Sequence, residues 1–298
     1  MYQIISDGSC DLPEQLAKDK GVEVVPFYVS FDDKTYYKEI EEMPIRKFYD
    51  LMVEKENVVF PKSSLPSIED YIASFEKYVK QGIPIICICI TVKFSGSYQA
   101  AMNARNILLE TYPDAKIEVI DCTVNTVLQG MYVLEAVKLK EQGVPYEEAI
   151  RRLLSIRDTG RIFFTVGNVD YLKHGGRIGK LSGIAASVLK IRPLITLKEG
   201  EIFPSGLARS RRKSMEAVMN LLDNHVKALI AAGESMADYV VDVGYGYDIS
   251  EAEAFLSEIK ERFRDVLDVE QIRIYQIGAT IAVHTGPYPL GVGFLKKA

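Results

Sequence analysis

Three short segments rich in serine could together bind an anionic group. Residues 6–10 follow the first predicted strand, residues 62–67 precede a predicted helix, and residues 94–97 directly follow another predicted strand. If the strands are parallel, such loops gather at the carboxyl edge of one sheet, where ligands of doubly wound folds bind. Helix starts at that edge also present free backbone N–H groups and a partial positive charge, which favour an anion. The serines best placed to hold the anion are Ser63, Ser64 and Ser95.

Each of these serines also has a simpler explanation, because serine is a common helix N-cap. Two further side chains could join the anion site. His284 is predicted to end a strand just before Thr285, and Arg177 follows a two-glycine turn. A histidine at a strand end can equally be structural, and an arginine in a turn can simply be solvated. The residues alone therefore indicate an anion site, leave these alternatives open, and do not name the ligand.

Several common enzyme signatures are missing or lack their structural context. The sequence contains no GxxxxGK[ST] segment, which excludes an ordinary phosphate-binding loop for nucleoside triphosphates. The segment at residues 244–246 (GYG) lacks the third glycine of a dinucleotide fingerprint, so a structural turn is the better interpretation. Residues 233–237 resemble a hydrolase elbow but follow a helix rather than a strand. Cys87 and Cys89 would share one strand face without a second pair of metal ligands, so both are predicted to be core residues.

The predicted strands and helices that position these residues follow a different pattern in each half of the chain. In the first half, short apolar runs alternate with helical patterns, which indicates a mostly parallel sheet with helices on both faces. The predicted strands there are residues 2–6, 22–27, 83–91 and 116–121. The predicted helices are residues 13–20, 45–54, 67–81, 97–111 and 126–142, and residues 32–42 are predicted to be a loop or hairpin insertion.

The second half fits helices over a sheet with some antiparallel pairing. Its predicted strands are residues 162–166, 191–197, 239–243, 271–275 and 280–284. Its predicted helices are residues 181–190, 211–232 and 250–264. We therefore predict a two-lobed α/β fold in which residues 1–160 form an N-terminal α/β domain with a mostly parallel sheet and residues 161–298 form a C-terminal mixed α/β domain.

The composition excludes several classes of partner. The chain of 298 residues carries a net charge of -5, whereas a nucleic-acid-binding protein is expected to have a basic face. It contains no run of 18 apolar residues, so no transmembrane segment is expected, and no secretory signal is visible at its start. Without an export signal, the four cysteines are expected to be reduced thiols in the cytoplasm.

Six segments, read in order, resemble the DegV family of fatty-acid-binding proteins. The resemblance runs from residue 4 to about residue 294, and although each segment alone is weak, the family's order is hard to obtain by chance. The segments are residues 6–13 (SDGSCDLP), 63–67 (SSLPS), 95–101 (SGSYQAA), 175–178 (GGRI), 189–194 (LKIRPL) and 284–287 (HTGP).

The resemblance implies two α/β lobes with an acyl chain threaded through a tunnel between them. By analogy with the family, Ser63 and Ser95 would hydrogen-bond the carboxylate, with Ser64 beside them. Arg177 and His284 would organise the head group and assist its later phosphorylation, and Thr285 belongs to the same segment as His284. The implied ligand is a long-chain fatty acid such as palmitate, stearate or oleate, with no metal and no other cofactor.

Bacterial members of the family serve as the carrier subunit of a fatty-acid kinase. The resemblance therefore implies an ATP-dependent kinase subunit as partner and a role in phospholipid metabolism, without catalysis by this chain and with transient membrane contact allowed. The densest basic cluster is a candidate docking patch for the kinase, although a solvated helix start is the alternative. This cluster consists of Arg209, Arg211, Arg212 and Lys213.

The sequence departs from the family pattern in a few places. Ser63 replaces the commoner threonine, Ser97 replaces another threonine, and Leu65 replaces the usual glutamine. The hydroxyl replacements keep the hydrogen-bond donor. Tyr288 and Pro289 stiffen and enlarge a turn beside the histidine, so the mouth of the site and its chain-length preference are expected to differ. Residues 182–187 are predicted to form a small-residue helix that packs near the tunnel or simply against the sheet.

Two rival functions come from other classes. The first is a small-molecule phosphotransferase or lyase, since the substrate domain of dihydroxyacetone kinases is related to this fold. The second is a structural or regulatory interaction protein, which needs no cavity. A dry tunnel lined with aliphatic side chains favours the lipid carrier, whereas a small wet pocket favours the enzyme.

Overall fold

The computed structural model describes residues 1–56, 58–181 and 191–298. The first half contains β1 (Gln3–Asp7), α1 (Glu14–Asp19), β2 (Val22–Val25), β3 (Tyr28–Ser30), β4 (Tyr37–Lys38), α2 (Ile45–Glu54), β5 (Lys62–Ser64), α3 (Ile68–Val79), β6 (Ile85–Cys89), α4 (Ser97–Thr111), β7 (Ile117–Asp121), α5 (Thr126–Glu141) and α6 (Tyr146–Ile156). The second half contains β8 (Arg161–Thr165), α7 (Asp170–His174), β9 (Arg192–Lys198), β10 (Glu201–Ala208), α8 (Arg211–Ala231), β11 (Tyr239–Tyr245), α9 (Ile249–Phe263), β12 (Ile274–Gln276), α10 (Ala279–Thr285) and β13 (Leu290–Lys296). The predicted small-residue helix lies outside the described residues, apart from residue 181.

The N-terminal sheet is parallel, with strand order β2-β1-β6-β7, as the alternating pattern predicted. Strand β6 is buried throughout, and its alternate side chains enter two cores. Cys87 and Cys89 pack with α3 and α4, whereas Ile86 and Ile88 pack with α5 on the other face. The prediction for the two cysteines is confirmed, because they are buried on the same face with their Sγ atoms 3.8 Å apart.

A small antiparallel sheet with strand order β4-β3-β5 accounts for the predicted insertion. Its strand β5 carries Ser63 and Ser64. The prediction that these two serines lie at a helix start is therefore wrong. The helix α3 begins four residues after Ser64, and Ser67 caps it through a reciprocal capping box with Asp70.

The C-terminal sheet is mixed, with strand order β10-β9-β8-β13-β11-β12, and only the β11–β12 pair is parallel. Helices α8 and α9 cover one face, where Val292 and Phe294 of β13 are buried. On the other face β13 presents Gly291 and Gly293, and α5 from the first half packs there. The missing side chains leave room between α5 and this face of the sheet.

The strand predicted at residues 280–284 is wrong, because these residues belong to the helix α10. The run TIAVH is rich in β-branched residues, which favour strands when local preference decides. Here the first turn of α10 is held instead by the buried carboxylate of Glu39, which accepts hydrogen bonds from the backbone and side chain of Thr280. The helix ends at Gly286, whose φ of 77° suits glycine.

The two halves of the chain share one hydrophobic core. Leu128 and Met131 of α5 pack in the same buried cluster as Ile162 of β8 and Leu197 of β9. The predicted domain boundary near residue 160 falls directly before β8 and stays a prediction. No helix among the described residues is both long and apolar enough to cross a membrane.

Candidate functional site

A cavity of about 240 Å³ lies between α5 and the glycine-bearing face of the C-terminal sheet. We call this cavity the slot. Every residue that the sequence placed in the ligand site contributes to its wall. These residues are Ser63, Ser64, Ser95, Arg177, His284 and Thr285.

The slot is elongated and mostly apolar. Its wall runs across the sheet from Ile202 of β10, through Leu197 of β9, Phe164 of β8 and Gly291 of β13, to Gly244 of β11. Four steps between neighbouring strands span roughly 19 Å. The polar side chains named above lie close to one another, and most of the remaining wall is apolar, so the slot is suited to a hydrocarbon with a polar head group rather than to a small polar substrate.

Glycine occupies three inward positions on β11 and β13 in the wall of the slot, at residues 244, 291 and 293. A Cβ atom on Gly244 would lie 2.9 Å from Cγ2 of Val127, and one on Gly293 would lie 3.1 Å from Sδ of Met131. A larger side chain at Gly244 or Gly293 would meet α5, whereas one at Gly291 would meet Phe163 and Phe164 of β8. The segment interpreted as a structural turn at residues 244–246 thus contributes Gly244 to the end of a strand and to the wall of the slot.

His284 and Ser63 form the centre of the polar end. The Nε2 atom of His284 lies 3.4 Å from Oγ of Ser63, whereas its Nδ1 is buried and has no hydrogen-bond partner among the described residues. Burial, assisted by the positive charge of Arg177, lowers the pKa of His284 to about 4. The imidazole is therefore neutral near pH 7 and offers one N–H donor and one acceptor.

Ser95 and Arg177 are joined through the loop that follows β6. Oγ of Ser95 accepts a hydrogen bond of 3.2 Å from the backbone N–H of Ser97, so this serine does support the start of α4, and its own O–H stays free to donate. The guanidinium of Arg177 donates from Nε and Nη2 to the carbonyl of Phe94, at 3.1 and 2.8 Å. Arg177 thereby fixes the loop that carries Ser95 and brings a positive charge to the polar end.

Ser64 and Thr285 occupy less central positions. Ser64 is exposed at the rim of the slot. Thr285 is buried, and its Oγ1 donates to the carbonyl of Ile281 at 3.2 Å, one turn earlier in α10. Its hydroxyl hydrogen is thus used within the helix.

Comparison with known proteins identifies the family of this fold. Residues 1–297 match the family described as "Uncharacterised protein, DegV family". The chain belongs to the DegV family. A DegV domain-containing protein from Clostridium acetobutylicum is 31% identical over 296 residues, which cover 99% of this chain and 98% of that protein.

Two solved DegV structures resemble this chain over nearly its whole length. A fatty-acid (stearic acid)-binding protein from Eubacterium ventriosum is 41% identical, with a TM-score of 0.92 and coverage of 100% of this chain and 99% of that one. A DegV family protein from Thermus thermophilus, described by its fatty-acid binding, is 28% identical, with a TM-score of 0.85 and 99% coverage of both chains. The predicted α/β DegV fold, with a parallel N-terminal sheet and a mixed C-terminal sheet, is thus confirmed.

Sequence reasoning missed polar residues of this DegV protein at the start of α5. Asn125 and Thr126 line the slot. Asn125 is the N-cap of α5, and its side chain makes no capping hydrogen bond, while Oγ1 of Thr126 donates to Asp11 at 2.5 Å. The signal was present, because these residues also join a parallel strand to a helix at the carboxyl edge of the sheet.

The serine loop at residues 6–10 does not line the slot of this DegV protein. Instead, the carboxylate of Asp7 is fully buried and accepts hydrogen bonds from Ser9 at 2.6 Å, Ser97 at 2.7 Å and Gln129 at 2.8 Å. Burial raises the pKa of Asp7 above its ordinary value, although these hydrogen bonds oppose the shift. The loop therefore ties β1 to α4 and α5 behind the polar end.

The residues of the basic cluster at the start of α8 lie in two different environments. Arg211 forms a bidentate pair with Glu251 of α9, with Nε and Oε1 2.6 Å apart, and only 21% and 23% of the two side chains are exposed. Arg209 and Arg212 are exposed and pair with no described residue. A docking role for this cluster stays a prediction, and exposure favours Arg209 and Arg212 for it.

The Arg211–Glu251 pair is expected to stabilise the contact between α8 and α9. Replacing Arg211 with alanine should lower the free energy of unfolding by about 1–2 kcal/mol, because a partly buried bidentate pair is lost. The matched change at exposed Arg212 should alter it by less than about 0.5 kcal/mol. Urea denaturation of both variants measures the difference, and equal effects would contradict a stabilising role for the pair.

Proposed function

We propose that this chain binds one long-chain fatty acid in the slot, with the carboxylate at Ser63, Ser95 and His284. One observation carries the proposal: hydroxyl, imidazole and guanidinium groups lie close together in the wall of a mostly apolar cavity. The similarity to the stearic-acid-binding protein from Eubacterium ventriosum supports the same ligand class. An aliphatic wall also disfavours the rival assignment as a phosphotransferase acting on a small polar substrate.

The acyl chain would supply most of the affinity. Burial of a methylene group contributes roughly 0.8 kcal/mol, so ~14 methylenes contribute on the order of 11 kcal/mol before the cost of association. Each hydrogen bond to the carboxylate adds about 1.5–3 kcal/mol. The polar residues would therefore mainly determine which end of the ligand faces the rim.

We further propose that the carboxylate is presented to an ATP-dependent kinase subunit. One carboxylate oxygen would attack the γ-phosphorus of ATP held by that partner, the bond to the β-phosphate oxygen would break, and ADP would leave with an acyl phosphate formed. Exposed Ser64 and Arg177 at the rim support access from outside. Arg177 would hold its charge beside the head group, and neutral His284 would hydrogen-bond it. A cytoplasmic location is part of the proposal, and the four buried free thiols support it.

Replacing Ser95 with alanine should separate these two roles. Acyl-phosphate formation with a fatty-acid kinase is expected to fall about tenfold, because a hydroxyl that positions the carboxylate is lost. The amount of fatty acid that mass spectrometry finds in the purified protein should stay unchanged, because the acyl chain provides most of the affinity.

The matched control is Ser257→Ala, which removes an exposed hydroxyl from α9. This variant should behave like the wild type in both measurements. Equal losses of turnover and of bound lipid in Ser95→Ala would refute the division of roles. Absence of any fatty acid from lipid extracts of the wild-type protein would refute the proposed ligand.

A further inference from the structure

A second cavity, of about 660 Å³, lies between α5 and β11. Leu134 and Val240 contribute apolar wall, whereas Asp242, Lys138 and Arg273 contribute charges. Lys138 and Arg273 are exposed, so this cavity opens to solvent. Its charged rim is unsuited to hydrocarbon, because moving charges out of water is unfavourable.

The two cavities are consecutive parts of one groove. On α5, residues 127 and 128 line the slot, and residues 131, 134 and 138 line the second cavity. Spacings of three and four residues place these side chains on one face of the helix. On β11, Gly244 lines the slot while Asp242 and Val240 line the second cavity, and alternate residues of a strand share one face.

Met131 stands at the boundary between the two cavities. It lines the second cavity, and only 2% of it is exposed. Its Sδ lies 3.1 Å from the position that a Cβ on Gly293 would take, and Gly293 lines the slot. Register pairing places Gly293 directly beside Asp242 on the next strand. The thioether thus fills the groove where the aliphatic wall gives way to a buried carboxylate.

We infer that Met131 closes the far end of the slot and so limits the length of acyl chain that the protein accepts. This inference rests on the proposed function. Val127 and Leu128 of α5 line the slot, and Met131 lies one turn further along the same face of the helix, so an acyl chain that runs along α5 would meet the thioether. Removing the thioether would join the slot to the apolar part of the second cavity around Leu134 and Val240.

The test compares Met131→Ala with the wild type after removal of bound lipid. Dissociation constants are measured for the saturated acids myristate, palmitate, stearate, arachidate and behenate. Each additional buried methylene strengthens binding about fourfold, so two more should improve the affinity for the longer acids roughly fifteenfold relative to wild type. Met131→Leu, which keeps the bulk, and Leu134→Ala, which changes only the second cavity, should keep the wild-type length preference.

A second variant tests the inference from the opposite direction. Gly293→Ala adds a methyl group against the thioether and should move the optimum to a shorter acid. Gly293→Ala also tests the role of Met131 if Met131→Ala does not fold. An unchanged length preference in whichever of these two variants folds would overturn the role of Met131. Failure of the wild type to bind any of the five acids would instead overturn the proposed function, so the two failures are distinguishable.

Discussion

Replacing Glu39 with alanine will lower the free energy of unfolding by about 3 kcal/mol at pH 5 and will weaken fatty-acid binding, although Glu39 does not line the slot. Glu39 is 2% exposed, and its carboxyl group accepts hydrogen bonds from the backbone N–H of Thr280 at 3.2 Å and from its Oγ1 at 2.6 Å. Alanine would leave these buried donors without partners, and each such loss costs about 1–3 kcal/mol. Because α10 carries His284, its first turn positions the polar end of the slot. Urea denaturation and fatty-acid titration measure the two effects.

The pH dependence of the same site provides a sharper test with Glu39→Gln. Burial is the main reason that the pKa of Glu39 rises from its ordinary 4.5 to about 7. The folded state then binds a proton that the unfolded state releases, so the stability contributed by this group is full below pH 4.5 and is lost as the pH rises through 7. Glutamine cannot ionise. The free energy of unfolding of Glu39→Gln, minus that of the wild type, should therefore increase by about 3 kcal/mol between pH 4.5 and pH 8.

A neighbouring carboxyl group makes this comparison informative. Burial, and then the negative charge of Glu39, raises the pKa of Asp11 well above its ordinary value. A Cβ on Gly278 would lie 2.5 Å from Oδ1 of Asp11 and 2.6 Å from Oε1 of Glu39, so both carboxyl groups crowd the start of α10. Glutamine at residue 39 also removes the charge that raises the pKa of Asp11, so both effects increase the relative stability of the variant as the pH rises. A difference that does not change with pH would show that Glu39 is not the buried acid.

The sequence predicted the N-terminal sheet well because local signals there agree with the tertiary structure. Alternation of strands and helices indicates a parallel sheet, and the six proposed ligand residues all reach one cavity. The helix α6 was absent from the prediction although Ala149, Leu153 and Ile156 have helical spacing and are buried. The helical spacing of these three residues is visible in the sequence and is sufficient to predict α6.

Two elements near the site could not be assigned from local preference. The first turn of α10 is bonded to Glu39, which lies 241 residues from Thr280 in sequence. A local reading of the β-branched residues in α10 therefore predicts a strand, which is wrong. The strand β13 was missed because glycine at residues 291 and 293 lowers strand preference. The same glycines line the slot. Local preference therefore failed at two elements that border the slot.

Gly244→Val is expected to reduce fatty-acid affinity about 60-fold. The position of a Cβ atom on Gly244 is already 2.9 Å from Cγ2 of Val127 and 3.4 Å from Cγ1 of Ile277, so a valine side chain must displace these two lining residues and reduce the space in the slot. Its three carbons would occupy the space of about three methylenes of the ligand. At roughly 0.8 kcal/mol each, this loss is ~2.4 kcal/mol, or roughly a 60-fold change in dissociation constant. Titration of lipid-free protein with stearate measures it.

The matched control is Val243→Ile, one residue earlier on β11. Val243 is fully buried on the opposite face of the sheet, in the core formed with α8 and α9. Adding a methylene there overfills a core and should destabilise the fold by about 1–3 kcal/mol, without touching the slot. Stearate affinity should therefore stay at the wild-type value in Val243→Ile. Equal affinity losses in the two variants would mean that strain in β11, rather than occupation of the slot, controls binding.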